Sequence, residues 1–443
     1  MKKLTIIVAC AAFFVLAAAP AMAADAKFSG MYRVTMFSDS NQQLKDSDAS
    51  YTHQNSLFRL QTTYMVNKNL SVTTQFDVND DKPWGRSNEI APAYSSSEVK
   101  WNLEWDRAYM NIITSWGDVE VGYNGSGDWG PRFMNHSIDT NRIRVRTKLG
   151  NLQLVGLYEK YFEGDAGVTI SDGDADAWSV GGIFKAGAME FGALYTLQVD
   201  KSGNSTSANN LANKASDEYT MHELKPYFIG KFGGLNLSAK ALIQTGDQDF
   251  TGGAPSQDLS GLAFNVEGSF NLGPVTLEAG YAFRSGDDKS TSLENEQYLL
   301  SGQDRVAKQT WSKFAILIDD ENSGPYRTFG GRGTFTRNYN ATKDGYKLIY
   351  GSAFFKPVRN LSVGLRVGHF TADEIYPKGS DEIGIETDFM VIYDIFKGLR
   401  YYGTVAWLKA GDYWKGPFAS GGSPSSIEPE DNWATYQRLT LSF

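Results

Sequence analysis

The chain has 443 residues, 42 Lys and Arg against 51 Asp and Glu, and a formal net charge of −9. Its one cysteine, Cys10, lies in a leader, so disulfides, thiolate catalysis and zinc–thiolate sites are excluded from the remainder. Past residue 23 no apolar run approaches the roughly 20 residues that a membrane helix requires, whereas 23 Tyr, 26 Phe, 10 Trp and 45 Gly suit many short strands with aromatic ends and tight turns.

Residues 1–23 read as a secretory signal peptide. Met1-Lys2-Lys3 is a charged start, Leu4 to Leu16 an apolar core and Ala21-Met22-Ala23 a cleavage site. The remaining 443 − 23 = 420 residues, 24–443, show no linker and exceed what one soluble core usually organises. A closed barrel whose interior need not be packed solid accommodates them as one domain.

Strand-like alternation begins at Phe28 to Phe37, with Phe28, Tyr32, Val34 and Met36 on one face and Arg33 and Thr35 on the other. Phe58 to Val66 and Leu70 to Val78 repeat the pattern around Asn67-Lys68-Asn69. Eighteen such segments are expected, with sixteen and twenty as alternatives. Seven further compact turns fall near Ser115-Trp116-Gly117, Leu149-Gly150, Ala186-Gly187, Phe232-Gly233, Leu272-Gly273, Pro357-Val358 and Ile395-Phe396. Nine longer connections alternate with the turns, at about 38–55, 79–102, 125–139, 162–175, 199–218, 245–259, 285–344, 372–381 and 410–431. The expected fold is all-β, a transmembrane antiparallel barrel with short turns at one end and long loops at the other. Eleven residues at about 3.3 Å, tilted about 40°, cover roughly 28 Å, enough for an apolar band about 25 Å tall. A soluble sandwich or propeller is the bland alternative, and no blade-length repeat supports it. Pro226 within Leu224–Gly230 and His369 on the nominal lipid face predict bulges or shifted boundaries there.

Parity assigns wall charges. Fourteen basic residues fall on the inner face, Arg33, Arg59, Arg107, Arg142, Arg144, Arg146, Lys148, Lys225, Lys240, Arg284, Lys347, Arg366, Arg400 and Arg438. Nine acids join them, Asp77, Glu120, Glu159, Glu190, Glu223, Glu267, Glu278, Glu386 and Asp388, leaving an excess of five positive charges. The acidic balance then belongs to the loops, as Asp172, Asp174, Asp176, Asp287 and Asp288 illustrate. Those acids read as solvated hairpin tips, with cation bridges to lipopolysaccharide, or a calcium site in 171–176, as rivals. In Arg142-Ile143-Arg144-Val145-Arg146-Thr147-Lys148 the basic residues share one face. Facing lipid at mid-depth each would cost about 2–4 kcal/mol, so the row should face water in the lumen. Acids on neighbouring strands, such as Glu120 and Glu159, could also neutralise it.

Two stretches carry a resemblance. Ala108-Tyr109, Gly117, Val121-Gly122 and Trp129-Gly130, within Asp106 to Gly130, are similar to the corresponding pattern of Gram-negative porins. Ile383 to Asp388 through Ala410-Gly411-Asp412-Tyr413 resembles the closing hairpin of alginate-export-type and related porins. The final alternation Leu439, Leu441, Phe443 resembles the insertion signal of bacterial outer-membrane barrels, with Gln437 where such strands usually carry an aromatic. The resemblance implies that the third loop, Asn124 to Asn141, folds inward as a constriction. Asp128, Arg132 and Asp139 would be its polar face, with Arg142, Arg144, Arg146 and Lys148 opposite. It also implies an outer-membrane location, contact with outer-membrane lipid and lipopolysaccharide, the barrel-assembly machinery as a partner, and a homotrimer or a monomer.

The leading expectation is therefore a water-filled channel for passive diffusion of small hydrophilic solutes and ions, with a mild anion preference from wall charge. A selective or export channel for acidic carbohydrate, and a barrel sheath around an electron-transfer partner, are the alternatives. Tyr109, Tyr227 and Tyr402 are too scattered on the inner face to form a sugar track, and no C-x-x-C-H motif is present. No cofactor, metal or nucleic acid is expected. Nor is catalysis, because His53, His136, His222 and His369 stand in no nucleophile or metal motif. A plugged receptor is set aside because the first strand follows the cleavage site within a few residues. Whether 285–344 plugs the pore or reaches a neighbour is left open.

Overall fold

The structure, a computed structural model, describes residues 25–40, 51–79, 103–125, 127–135, 139–163, 173–201, 216–250, 255–288, 290–291, 293–299, 311, 313–317, 344–375, 379–415 and 428–443. The signal peptide expected at 1–23, with Asp172 and His136, lies outside them. Nineteen strands follow in order: β1 Asp25–Ser40, β2 Tyr51–Asn67, β3 Leu70–Val78, β4 Leu103–Ile113, β5 Asp118–Gly125, β6 Asp139–Leu149, β7 Leu152–Phe162, β8 Ala175–Ala186, β9 Met189–Asp200, β10 Ser216–Phe232, β11 Leu235–Phe250, β12 Gln257–Leu272, β13 Val275–Arg284, β14 Glu294–Asn295, β15 Tyr346–Val358, β16 Leu361–Thr371, β17 Glu382–Phe396, β18 Leu399–Ala410 and β19 Asn432–Ser442. All but the two-residue β14, which pairs parallel with β12, form one antiparallel succession of eighteen.

The cylinder closes where β1 meets β19, from Met31 opposite Ser442 to Ser40 opposite Trp433. At the seam the Gly30 amide donates to the Phe443 carbonyl at 2.9 Å, and the Phe443 amide donates back at 3.1 Å. Closure matters physically, because an open sheet edge in hydrocarbon would leave its amides and carbonyls without partners.

Alternation positions every strand. In β16 Ser362, Gly364, Arg366, Gly368 and Phe370 are buried toward the lumen, while Leu365 and Val367 are exposed on the outside. Trp105 and Trp433 stand exposed near the loop end, and Phe28, Phe232, Phe396 and Phe443 near the turn end. They form the two aromatic girdles that such barrels present to the lipid interfaces. The glycines at 150, 187, 233 and 273 have φ between 59° and 61°, the left-handed turn conformation that side chains resist.

Eight short turns and nine long connections are found as expected. Two turns sit slightly later, at Arg359-Asn360 and Lys397-Gly398, because the registers shift between Phe355 and Val358 and between Asp394 and Phe396. No bulge accompanies Pro226. β10 keeps its register against β9, with Pro226 opposite Ala193, and only the β11 pairing lapses at Lys225 and Pro226. Near His369 the expected irregularity does occur, between Phe370 and Thr371, and the imidazole Nε2 lies 2.8 Å from Glu382.

The lumen is not empty. Trp311, Phe314, Ala315, Ile316 and Leu317, from the long connection between β13 and β15, are buried against Tyr346, Leu348, Tyr350, Phe370, Leu408 and Tyr436 of the inner wall. Phe133 and Met134 of the third loop join the same cluster. The described part of this connection thus folds into the barrel.

Candidate functional site: a charged lumen narrowed by two inward loops

The third loop leaves β5 at Gly125 and turns across the wall. Its Gly127 lies beside the Arg144 guanidinium, and Asp128, Trp129 and Asn135 line one recess with Arg144, Arg146, Glu159 and Lys225. The indole of Trp129 donates to the Lys225 carbonyl at 3.0 Å and meets the Tyr227 ring edge-on at 5.7 Å. Gly130, at φ 65°, is required here, because a Cβ would fall 2.5 Å from the Tyr227 ring. Lys240 of β11 then reaches the side-chain oxygen of Asn135 and the Pro131 carbonyl. Phe133 continues inward to an edge contact with Trp311, ring centres 5.0 Å apart. The two connections therefore meet inside the barrel.

The second connection is held by wall carboxylates. Glu386 accepts the amides of Ile316 and Leu317 at 2.6 and 2.8 Å, and Asp388 that of Ala315 at 3.0 Å. Upstream, the Tyr298 hydroxyl donates to Glu223 at 2.8 Å, the Leu299 amide donates to Gln244, and Arg284 donates to the Tyr298 carbonyl. Acids that parity placed against water are thus docking points for the chain's own loop.

The basic row of β6 faces inward, as its alternation demands, and each described arginine has acidic company. Arg142 binds Glu159 at 2.6 Å and is almost fully buried, Arg144 binds Glu120 at 2.7 Å, and Arg146 reaches Asp118 and Glu120. Lys148 stands exposed toward the turn end. Asp139 belongs to the start of β6, not to the inward part of the loop, and accepts from Arg107 at 3.3 Å. Arg132 is exposed and ion-paired with Asp128 at 3.6 Å.

A second basic feature crosses the strands. Arg400, Arg438, Arg33, Arg59 and Arg107 place one inward arginine on each of β18, β19, β1, β2 and β4. Arg59 binds Asp77 at 2.7 Å, Arg400 binds Asp394 at 2.5 Å, and Arg33 carries a buried Nε that finds no hydrogen-bond partner among the described residues. Arg400 and Arg438, with Asn360, Tyr402 and Thr440, line a recess of about 970 Å³ at the turn end.

Among the described residues the five-charge excess expected from parity shrinks, although Lys185, opposite the inward Glu190, adds one base. Lys347 turns outward to Asp373 at 3.0 Å, because Tyr346, Leu348 and Tyr350 take the inner face of β15. Asp39, Glu104, Asp106, Asp118 and Asp394 add acids to the inner face. Asp106 arrives through a register shift beside Gln75 that turns both it and Arg107 inward, which strict alternation cannot foresee. At the loop end of β7 and β8, Asp174 and Asp176 converge on Lys160.

A closed transmembrane barrel with a charged lumen narrowed by its own loops is an outer-membrane channel for small solutes. A family model described as Gram-negative porin matches residues 8–412, and the chain belongs to that family. A search of curated proteins found no match. Among solved structures the chain is similar to OccAB3 of Acinetobacter baumannii, at 12% identity, covering 95% of this chain and 99% of that one, with a TM-score of 0.57. It is also similar to OccK8 (OprE) of Pseudomonas aeruginosa, at 12% identity, 95% and 98% coverage and a TM-score of 0.56. OccK9 (OpdG) of Pseudomonas aeruginosa gives 14% identity, 95% and 99% coverage and a TM-score of 0.56. At these identities the likeness speaks to the fold.

Proposed function

We propose that the barrel passes small hydrophilic anions by passive diffusion along the arginine-bearing wall of β18, β19, β1, β2, β4 and β6, without catalysis. The observation that carries this reading is the division of the lumen. On the β12 to β17 side the acids Glu267, Glu278, Glu386 and Asp388 are engaged by the inward connection, whereas Arg400 and Arg438 line the open turn-end recess and Arg33 stands across from its Thr440. A wall near balance among its described residues but divided in position gives a modest preference, since selectivity depends on the charge a passing ion meets. Asp128 and Trp129 on one side, and Arg144 and Arg146 on the other, would form the narrow passage beside the third loop.

Around this core the proposal keeps a cleaved leader at 1–23, one domain over 24–443, a homotrimer in lipid and lipopolysaccharide, and recognition of Leu439, Leu441 and Phe443 by the assembly machinery. An electron-carrier sheath is disfavoured by the side chains of Phe133, Trp311 and Phe314, which occupy the space a partner would need. Replacing Arg33 and Arg438 together with Gln should move the reversal potential in a KCl gradient away from the chloride limit while the step size is retained. An unchanged reversal potential would remove the arginine arc from the selectivity.

A further inference from the structure

Lys313, on the inward connection, is the one described lysine seated in a cage of wall residues contributed by three other strands. Its ammonium lies 3.0 Å from Glu278 of β13, bonds Glu267 of β12, and sits 5.3 Å from the ring centre of Tyr350 of β15. Two carboxylates and an aromatic face are what a desolvated ammonium requires, the acids for its N–H donors and the ring for its remaining face.

Wall groups hold the two acids besides the lysine, although Arg366 also donates to the Lys313 carbonyl. The Tyr350 hydroxyl donates to Glu267, the Ser352 hydroxyl donates to Glu278 at 3.3 Å, and an Arg366 guanidinium nitrogen lies 3.5 Å from Glu278. All of these belong to the barrel wall. Without Lys313 they leave two carboxylates facing one guanidinium, a deficit of one positive charge in a partly buried site.

We propose that Glu267, Glu278 and Tyr350 form a binding site for a primary ammonium group, which Lys313 fills as a tethered ligand and which an ammonium-bearing solute fills when Lys313 is withdrawn. The site makes the β12 to β15 wall cation-recognising, opposite in sign to the arginine arc, so a solute carrying both an ammonium and an acid group would find a partner on each side of the lumen. A tether of this kind supplies an effective concentration on the order of millimolar or above, which free amines at lower concentration do not displace.

The test is calorimetric titration of ethylammonium into the refolded, detergent-solubilised barrel, wild type against Lys313→Ala, with tetramethylammonium as a probe that has charge but no N–H donor. The variant is expected to bind ethylammonium about tenfold more tightly than the wild type, a gain of about 1.4 kcal/mol, and more tightly than tetramethylammonium. Adding Glu267→Gln and Glu278→Gln to the variant should abolish the gain. Lys313→Gln, which also vacates the cage while keeping a polar side chain, should reproduce it, so misfolding of one variant does not decide the matter. Equal binding by wild type and both vacated variants, or no advantage of ethylammonium over tetramethylammonium, would overturn the proposal. Since the readout is binding, conduction through the pore does not enter it.

Discussion

Arg142 and Arg146 share a face four residues apart, yet their surroundings assign them different work. Arg142 is buried to 2% exposure against Glu159, while the Arg146 side chain keeps 35% of its surface open and shares Asp118 and Glu120. Removing one partner of a buried pair strands the other charge, at a cost of about 3–5 kcal/mol. Arg142→Gln should therefore lower the urea midpoint of the refolded barrel strongly and change selectivity little. Arg146→Gln should do the reverse, leaving the midpoint nearly unmoved and shifting the reversal potential toward the cation limit. The sequence showed that these side chains face the lumen, because Ile143 and Val145 fix the opposite face. It could not show which arginine a passing ion meets, since that depends on Glu159 from β7 and on how close the third loop passes.

At the scale of elements, the two inward connections were the least legible part of the chain. The third loop was expected to turn inward only through a resemblance, and its anchors Tyr227 and Lys240 lie about a hundred residues away. The connection after β13 has no periodicity, and its apolar residues Phe314, Ile316 and Leu317 are too few to announce a buried segment by themselves. Glu386 and Asp388 alternated correctly and so looked like water-facing wall. They are instead acceptors for backbone amides some seventy residues earlier in the chain. Hydrogen bonds to a charged acceptor contribute about 1.5–3 kcal/mol each. Glu386→Ala, which removes two of them, should loosen the segment and give larger and noisier single-channel steps. Steps identical to wild type would mean that the apolar cluster alone holds the loop in place.

For the whole molecule, strand order, turn positions and strand number were readable because each depends on a local signal, alternation for the faces and glycine for the turns. Bulges at Asp106 and near Phe396 were not, because an extra residue in a strand leaves no mark in composition. Closure depends on the last strand. Phe443 joins the seam through its backbone, and its ring lies 6.3 Å from that of Phe58 on β2. Phe443→Ala should leave a barrel that still closes but inserts more slowly into lipid vesicles, measured as the appearance of the compact form on unheated gels. An unchanged insertion rate would confine the terminal aromatic to a packing role.

The most direct measurement on the account as a whole is the single-channel conductance of the refolded protein in a planar bilayer, with the reversal potential recorded across a KCl gradient. Discrete ohmic steps, smaller than an unobstructed barrel of eighteen strands would give, with a reversal potential displaced modestly toward that of chloride, are the predicted result. A correctly folded barrel that conducts nothing, or one that selects potassium, would contradict the reading of the lumen as an open, arginine-lined passage.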